Sequence, residues 1–176
     1  MINKKNKEYR KSVQVLVAVI ILAILINLFG GYIKARIDLT SNRLFTLSPA
    51  TKNIVGNLED DLVLDLFISK KLPAQISYQA QDVRDVLSDY KKYGKGKIDL
   101  NIHYPDVNDE DKLKAQELGI PAIQFNVIAK DEFQLKQGWL GLSISVMGEE
   151  EEVKGRQAIP FIERTNGFEY SLTGLI

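Results

Sequence analysis

Residues 62–68 read Leu-Val-Leu-Asp-Leu-Phe-Ile, an apolar run that only Asp65 interrupts. Apolar residues at consecutive positions, rather than at every second one, are typical of a strand that is covered on both faces. The stretch therefore predicts the central strand of a sheet, and the segments on either side of it decide what kind of sheet this is.

A long helix and a second strand follow this run. Pro73 opens a segment up to Tyr93 in which apolar residues recur at spacings of three and four, and Gly94 ends it. The segment from Ile98 to Tyr104 alternates apolar and polar residues, which is the period of a strand. A helix between two strands makes a crossover long enough for those strands to be parallel.

The other segments complete an α/β pattern. Before the central run, Ser48-Pro49 reads as a helix N-cap followed by proline at the first helical position. After the βαβ unit, the pattern predicts a helix over 109–118 and strands over 122–129, 138–147 and 152–159. The order β-α-β-α-β-β-β indicates an α/β domain with a mixed sheet.

The approach to the third strand resembles the thioredoxin fold. Ile120-Pro121 leads from a helix into a hairpin, at the place where that fold keeps a cis-proline, so Pro121 is a candidate structural residue. The chain has no cysteine. We therefore expect a thioredoxin-like mixed-sheet domain without catalytic cysteines, and the shape alone says nothing about activity.

An uncharged apolar segment precedes this domain. Residues 12–33 would form a helix of about 33 Å, against about 30 Å of membrane hydrocarbon. A buried core helix and a cleaved signal peptide are the weaker interpretations, because the segment is apolar on every face and no small-residue cleavage motif follows it. We expect an uncleaved signal anchor, a single transmembrane helix over 12–33. More Lys and Arg precede it than follow it, which predicts a cytoplasmic N-terminus and a periplasmic or extracytoplasmic domain at the bacterial inner membrane.

Composition excludes several classes of function. The chain carries 23 Lys and Arg and 23 Asp and Glu, so its formal net charge of zero gives no electrostatic case for nucleic acid. Without cysteine it has no disulfide, thiolate metal site or Cys nucleophile. The segment Gly94-Lys95-Gly96-Lys97 lacks the spacing and the Ser or Thr of a nucleotide-binding loop.

The one histidine gives no evident catalytic motif. His103 is expected on the polar side of a strand, beside Asp99 and Asn101. One His without Cys does not build the usual zinc site, and no Ser or Asp partner stands at a recognisable spacing. We therefore expect an ordinary surface histidine, with no catalytic, cofactor-binding or metal-binding residue in the chain.

Two pairs of segments resemble one protein family. The first pair is Arg36-Ile37-Asp38-Leu39-Thr40 and Leu44-Phe45-Thr46-Leu47-Ser48-Pro49-Ala50-Thr51; the second is Ile159-Pro160-Phe161-Ile162 and Phe168-Glu169-Tyr170-Ser171-Leu172-Thr173. Both are similar to the auxiliary, so-called substrate-binding component of gliding-motility-type ABC transport systems, the GldG family. The resemblance implies a membrane-anchored partner of an ABC permease and a cytoplasmic ATPase. Members of that family run longer, which implies that a further domain begins near the end of this sequence.

The predicted organisation combines these observations. It consists of a cytoplasmic basic tail (1–11), the transmembrane helix (12–33), a juxtamembrane linker (34–47), the thioredoxin-like extracytoplasmic domain (48–165) and the start of a following, truncated domain (166–176). We expect a non-enzymatic auxiliary subunit that presents its binding domain to the permease and ATPase. The candidate interaction residues are Arg36, Asp38, Thr40, Phe45, Ser48 and Pro49.

Other interpretations of the same residues stay open. Asp38 and Thr40 also suit the cap of a local turn, and Phe45 also suits a core position. The function also has two alternatives. One is a cell-envelope structural or assembly scaffold with no transported solute. The other is a membrane-tethered enzyme that handles thiols or peroxides, against which the absence of cysteine argues.

Overall fold

The structure is a computed structural model that describes residues 13–25, 46–129, 132–148 and 152–176. The chain divides into two compact units, Met1–Leu39 and Thr40–Ile176. The first unit contains helix α1, which covers residues 13–25. The second unit contains the four remaining helices and the six strands of the described residues.

Helix α1 corrects the prediction made for the N-terminal segment. The described helix is about 20 Å long at 1.5 Å per residue, against about 30 Å of hydrocarbon. Across the ranges that the structure describes, no helix is both long enough and apolar enough to cross a membrane. The predicted transmembrane helix over 12–33 is therefore wrong, and so are the signal anchor, the inner-membrane location and the extracytoplasmic placement that depend on it. The predicted tail (1–11) and all but the last two residues of the linker (34–47) lie outside the described residues.

Helices and strands alternate at the start of the second unit, and strands dominate its later part. The elements, in chain order, are α2 (Pro49–Val55), β1 (Asp61–Ile68), α3 (Ala74–Tyr93), β2 (Ile98–His103), α4 (Asp109–Glu117), β3 (Ile123–Ala129), β4 (Glu132–Gly138), β5 (Leu140–Met147), β6 (Val153–Ile159) and α5 (Phe168–Thr173).

Strand β1 lies inside the main sheet, as its apolar run predicts. The four-stranded sheet has the order β2-β1-β5-β6. β1 pairs with β2 in parallel and with β5 antiparallel, and β6 pairs antiparallel with β5. The parallel pairing confirms the crossover predicted through α3, and the mixed α/β class is confirmed with it.

The segment after Pro121 departs from the thioredoxin-like expectation. β3 pairs with β4 in a separate two-stranded sheet and does not enter the main one. β4 was not predicted, and its proximity in sequence explains the pairing, because closing a short loop costs less entropy than a return to the main sheet. Among the described residues no peptide bond is cis, so the bond to the exposed Pro121 is trans. This bond therefore lacks the cis form that the thioredoxin fold keeps at this place, and the structural role of Pro121 stays a prediction.

Two hydrophobic clusters cover opposite faces of β1. Alternate residues of a strand point to opposite faces. Leu64 and Leu66 lie in the larger cluster with Leu87 of α3 and with Phe168 and Leu172 of α5. On the other face, the smaller cluster is formed by Phe67, Ala115, Leu118, Ile120 and Trp139. Residues 166–176, which the sequence assigned to a following domain, thus contribute two side chains to this core.

Candidate functional site

The structure describes two of the six predicted interaction residues. Outside the described residues lie Arg36, Asp38, Thr40 and Phe45. Ser48 and Pro49 are described, and both are exposed at the beginning of α2. The site is therefore built outward from these two residues.

Ser48 caps α2 and also ties it to α5. Its Oγ accepts a hydrogen bond from the backbone N of Thr51 at 3.2 Å, and Pro49 follows at the first helical position, where no N–H is needed. The backbone N of Ser48 donates to Glu169 Oε1 at 2.8 Å. A contact between residues 121 positions apart therefore joins the two short helices.

A network of hydroxyl groups lies behind this contact. The buried Tyr90 hydroxyl lies 3.0 Å from the carbonyl oxygen of Glu169 and 2.5 Å from Thr173 Oγ1. Thr51 Oγ1 in turn lies 3.3 Å from Thr173 Oγ1. Burial raises the pKa of Tyr90 to about 12, so this phenol keeps its proton and can donate. The network connects α2, α3 and α5 through buried polar atoms.

Glu169 is an ionised acceptor at the junction of α2 and α5. Burial alone raises the pKa of its carboxyl, but hydrogen bonds from Thr51 and Ser48 outweigh burial, so the pKa lies below the ordinary value. The residue also stands in the first turn of α5. A carboxylate at this position receives hydrogen bonds that hold the two helices in a fixed relation.

An open groove of about 1070 Å³ runs along α2 and α5. Its lining combines apolar and polar groups, including Leu47, Pro49 and Leu175. Two lining residues project into solvent: Ile54 is 45% exposed and Tyr170 is 86% exposed. We call this groove with its exposed rim the α2–α5 surface. A large exposed aromatic beside a groove is typical of a contact residue for another macromolecule.

The cap on α2 leads to a first prediction. Ser48→Ala removes the oxygen that accepts from the Thr51 backbone, and we expect the free energy of unfolding to fall by about 1 kcal/mol. Urea denaturation measures the change. Ser88→Ala, at an exposed position within α3, is the matched control and should stay within about 0.5 kcal/mol of the unmodified chain. Equal effects at both positions would mean that the Ser48 cap contributes nothing.

A second cluster lies on the opposite face of β1. We define the charge cluster as Asp65, His103, Asp111 and Lys114. Asp65 Oδ1 lies 2.7 Å from His103 Nε2 and 2.9 Å from Lys114 Nζ. His103 Nδ1 lies 3.0 Å from Asp111 Oδ1. Asp65 is only 4% exposed, so a carboxylate sits in the interior of the sheet with an imidazole and an ammonium group beside it.

The parallel register of β1 and β2 brings the cluster together. It places Phe67 beside His103, and the two rings stack with their centroids 4.7 Å apart. Asp65 lies two residues before Phe67 and therefore on the same face. Asp111 and Lys114 come from α4, three positions apart, and so share one face of that helix. Two strands and one helix thus each supply part of the cluster.

The two carboxylates of the charge cluster are held in their ionised form. Burial raises the pKa of Asp65, but hydrogen bonds and charges from His103 and Lys114 outweigh burial, so the pKa lies below its usual value. Burial also raises the pKa of Asp111, but hydrogen bonds from the Tyr104 backbone N–H and from His103 outweigh burial. The pKa of Asp111 therefore also lies below its usual value. The two carboxylates therefore lie on either side of the His103 ring, one facing each ring nitrogen.

This arrangement suits a structural connection better than catalysis. Each nitrogen of His103 already faces a carboxylate oxygen, which leaves no ring nitrogen to act as a general base. Within the described ranges, no group of three or more His, Asp or Glu side chains is placed to hold a metal ion. The sequence treated His103 as an ordinary surface residue and missed the cluster. The signal was Asp65, a lone carboxylate in an otherwise apolar strand.

Residues 41–145 match a family described as "Domain of unknown function (DUF7088)", and this match covers more than half of the chain, including the whole charge cluster. An uncharacterized protein of Borreliella burgdorferi is 25% identical over 170 residues, which is 96% of this chain and 31% of the relative. The chain therefore spans about a third of that relative's length. No solved structure matches the chain.

Proposed function

The chain belongs to the DUF7088 family, and we propose that it acts as a non-enzymatic auxiliary subunit of an ABC-type transport system related to gliding motility. In this proposal the α2–α5 surface is the part that binds the permease or the ATPase. The partners follow from the resemblance of the sequence to the GldG family.

One observation supports the proposal above the others: the segments that carry the resemblance contact each other. Ser48 and Thr51 belong to one segment, and Glu169 and Thr173 belong to the other. The Ser48 backbone N lies 2.8 Å from Glu169 Oε1, and Thr51 Oγ1 lies 3.3 Å from Thr173 Oγ1. Two motifs far apart in sequence therefore form one surface feature.

The exposure of this feature favours a binding role over simple packing. Packing motifs bury their large side chains, and the same helix does so with Phe168 and Leu172. Tyr170, between them, is instead 86% exposed. Tyrosine is among the residues that carry most of the binding energy at protein interfaces, since it combines a large apolar ring with a polar tip. Tyr170 is therefore the proposed anchor of the partner.

Affinity purification of the full chain tests the proposal. The chain is co-expressed with the permease and the ATPase of a gliding-motility-type ABC transport system, and both are expected to co-purify. Tyr170→Ala should weaken the complex at least tenfold, the effect of losing an interface anchor. Tyr78→Ala is the matched control, since Tyr78 is 76% exposed on α3, away from the groove. A change in ATP hydrolysis on adding the chain is the second readout.

The outcomes of this experiment test the proposed surface and the proposed function separately. Loss of binding with Tyr170→Ala alone supports the proposed surface. Equal binding by both variants would place the contact elsewhere on the chain. Recovery of the chain without permease or ATPase would contradict the proposed function itself.

A further inference from the structure

We propose that α4 is a lid that opens from the main sheet as a unit and that the charge cluster holds it closed. This inference is independent of the transport function proposed above. It concerns the opposite face of β1 from the α2–α5 surface, and it rests on how little apolar area α4 buries and on where its two inward charges lie.

The first step is the weak hydrophobic attachment of α4. A helix on a sheet normally buries an apolar stripe. Of the nine residues of α4, only Ala115 is buried, and Leu113 is 66% exposed. An alanine offers little apolar area, so burial within the helix contributes little to holding it. Elements with few buried apolar contacts are the ones that open below the free energy of global unfolding.

The second step is that charged side chains, rather than apolar ones, attach α4 to the main sheet. Lys114 Nζ donates to Asp65 Oδ1 at 2.9 Å. Asp111 accepts from the Tyr104 backbone N at 2.8 Å and lies 3.0 Å from His103 Nδ1. The helix is therefore fastened to both β1 and β2 through two of its side chains. Charge-assisted hydrogen bonds of this kind are directional, so they are lost together when the helix moves away.

The third step is the presence of a suitable hinge. Gly119, directly after α4, has a φ of +74° and open space around it, a conformation that glycine adopts without strain. The next residue, Ile120, is fully buried in the smaller hydrophobic cluster. The chain beyond the hinge can thus stay anchored while the helix moves. Leu118, the C-cap residue on the helix side of the hinge, is 7% exposed in the same cluster and leaves it with the helix.

The fourth step concerns a buried hydroxyl group that water would reach when α4 opens. Ser143 lies directly opposite Asp65 in the β1–β5 ladder, so both side chains point to the same face. The Ser143 Oγ is buried and has no hydrogen-bond partner among the residues that the structure describes. A buried hydroxyl without a partner is energetically unfavourable. Hydration of this part of the face would relieve that cost, which favours an open state of low free energy.

Hydrogen exchange on the full chain tests the lid. In the unmodified protein the amides of α4 are expected to exchange faster than those of β1 and α3, through a separate opening. Lys114→Met removes the amine and keeps the length of the side chain. It should reduce protection within α4 about tenfold while leaving β1 and α3 within about twofold. Lys112→Met, at an exposed position of the same helix, is the control and should leave protection unchanged.

Two results would overturn the proposal. One is that α4 and the core exchange with the same free energy in the unmodified protein, which would mean that the helix opens only by global unfolding. The other is that Lys114→Met leaves α4 as protected as Lys112→Met does. Asp111→Asn gives a second variant from the same face of the helix, and it should act in the same direction as Lys114→Met.

Discussion

Asp65→Ala is expected to lower the free energy of unfolding by about 3 kcal/mol, because it leaves Lys114 without its buried counter-charge and His103 Nε2 without its hydrogen-bond partner. Asp65 is 4% exposed, and its Oδ1 is the atom on which His103 Nε2 and Lys114 Nζ converge. The Lys114 side chain is 41% exposed and can turn toward water, so the loss should stay at the lower end of the range for broken buried pairs. Urea denaturation at neutral pH measures it.

A matched variant exists on the neighbouring strand. Asp99 lies on β2 and pairs with Lys91 at 3.4 Å, but the two side chains are 76% and 52% exposed. Exposed ion pairs contribute little, so Asp99→Ala should cost no more than about 0.5 kcal/mol. If the two aspartate variants lost the same stability, burial would not be what makes the charge cluster important.

The pH dependence of the free energy of unfolding gives a second readout of Asp65→Ala. The pKa of Asp65 and that of Asp111 are both below the ordinary carboxyl value in the folded chain. A group with a lowered folded-state pKa stabilises the fold above its unfolded pKa, about 3.9 for aspartate, and that contribution is lost as pH falls through the folded value. The difference in stability between the unmodified chain and Asp65→Ala should therefore be full at pH 7 and shrink below about pH 4. A difference that stayed constant down to pH 2 would contradict this account of the cluster.

Local patterns predicted the elements better than they predicted the contacts. The apolar run around Leu64, the periodic helix up to Tyr93 and the alternating strand from Ile98 each depend on neighbours in sequence, and the structure has all three. The charge cluster depends instead on the register between β1 and β2 and on the rotation of α4. Neither can be obtained from one sequence, so Asp65 was visible as an anomaly while its partners were not.

Two errors in the predictions made from the sequence have different physical origins. The span over 12–33 was inferred from hydropathy, which measures composition and does not give the length of the helix that forms. β4 was missed because Glu132–Gly138 holds only two apolar residues, Phe133 and Leu135, and its strand conformation depends on pairing with β3. The contact of α2 with α5 was also beyond prediction, since it joins residues 121 positions apart through a backbone N–H and a carboxylate.

Gly141→Ala is expected to be as damaging as the loss of Asp65, although it adds only one carbon. Gly141 pairs with Phe67 in the β1–β5 ladder. A Cβ at this position would lie 2.6 Å from Ile120 Cγ2, 2.6 Å from the carbonyl oxygen of Pro160 and 3.0 Å from that of Ile159. Two of these atoms belong to the backbone and cannot rotate away. Overpacking of this kind costs up to about 3 kcal/mol, and thermal or urea unfolding measures it.

Gly155→Ala separates this clash from the general effect of replacing a strand glycine. Gly155 lies on β6, and an added Cβ there meets nothing within 4 Å. Alanine restricts the unfolded chain more than glycine does, so this variant should be neutral or up to about 1 kcal/mol more stable. The two substitutions are chemically identical, yet only Gly141→Ala should lower stability, because there Ile120 and the connection after β6 occupy the space. If the two variants were equally stable, the connection after β6 and Ile120 would have to move aside freely. Ile120 could not then be the fixed anchor beyond the α4 hinge.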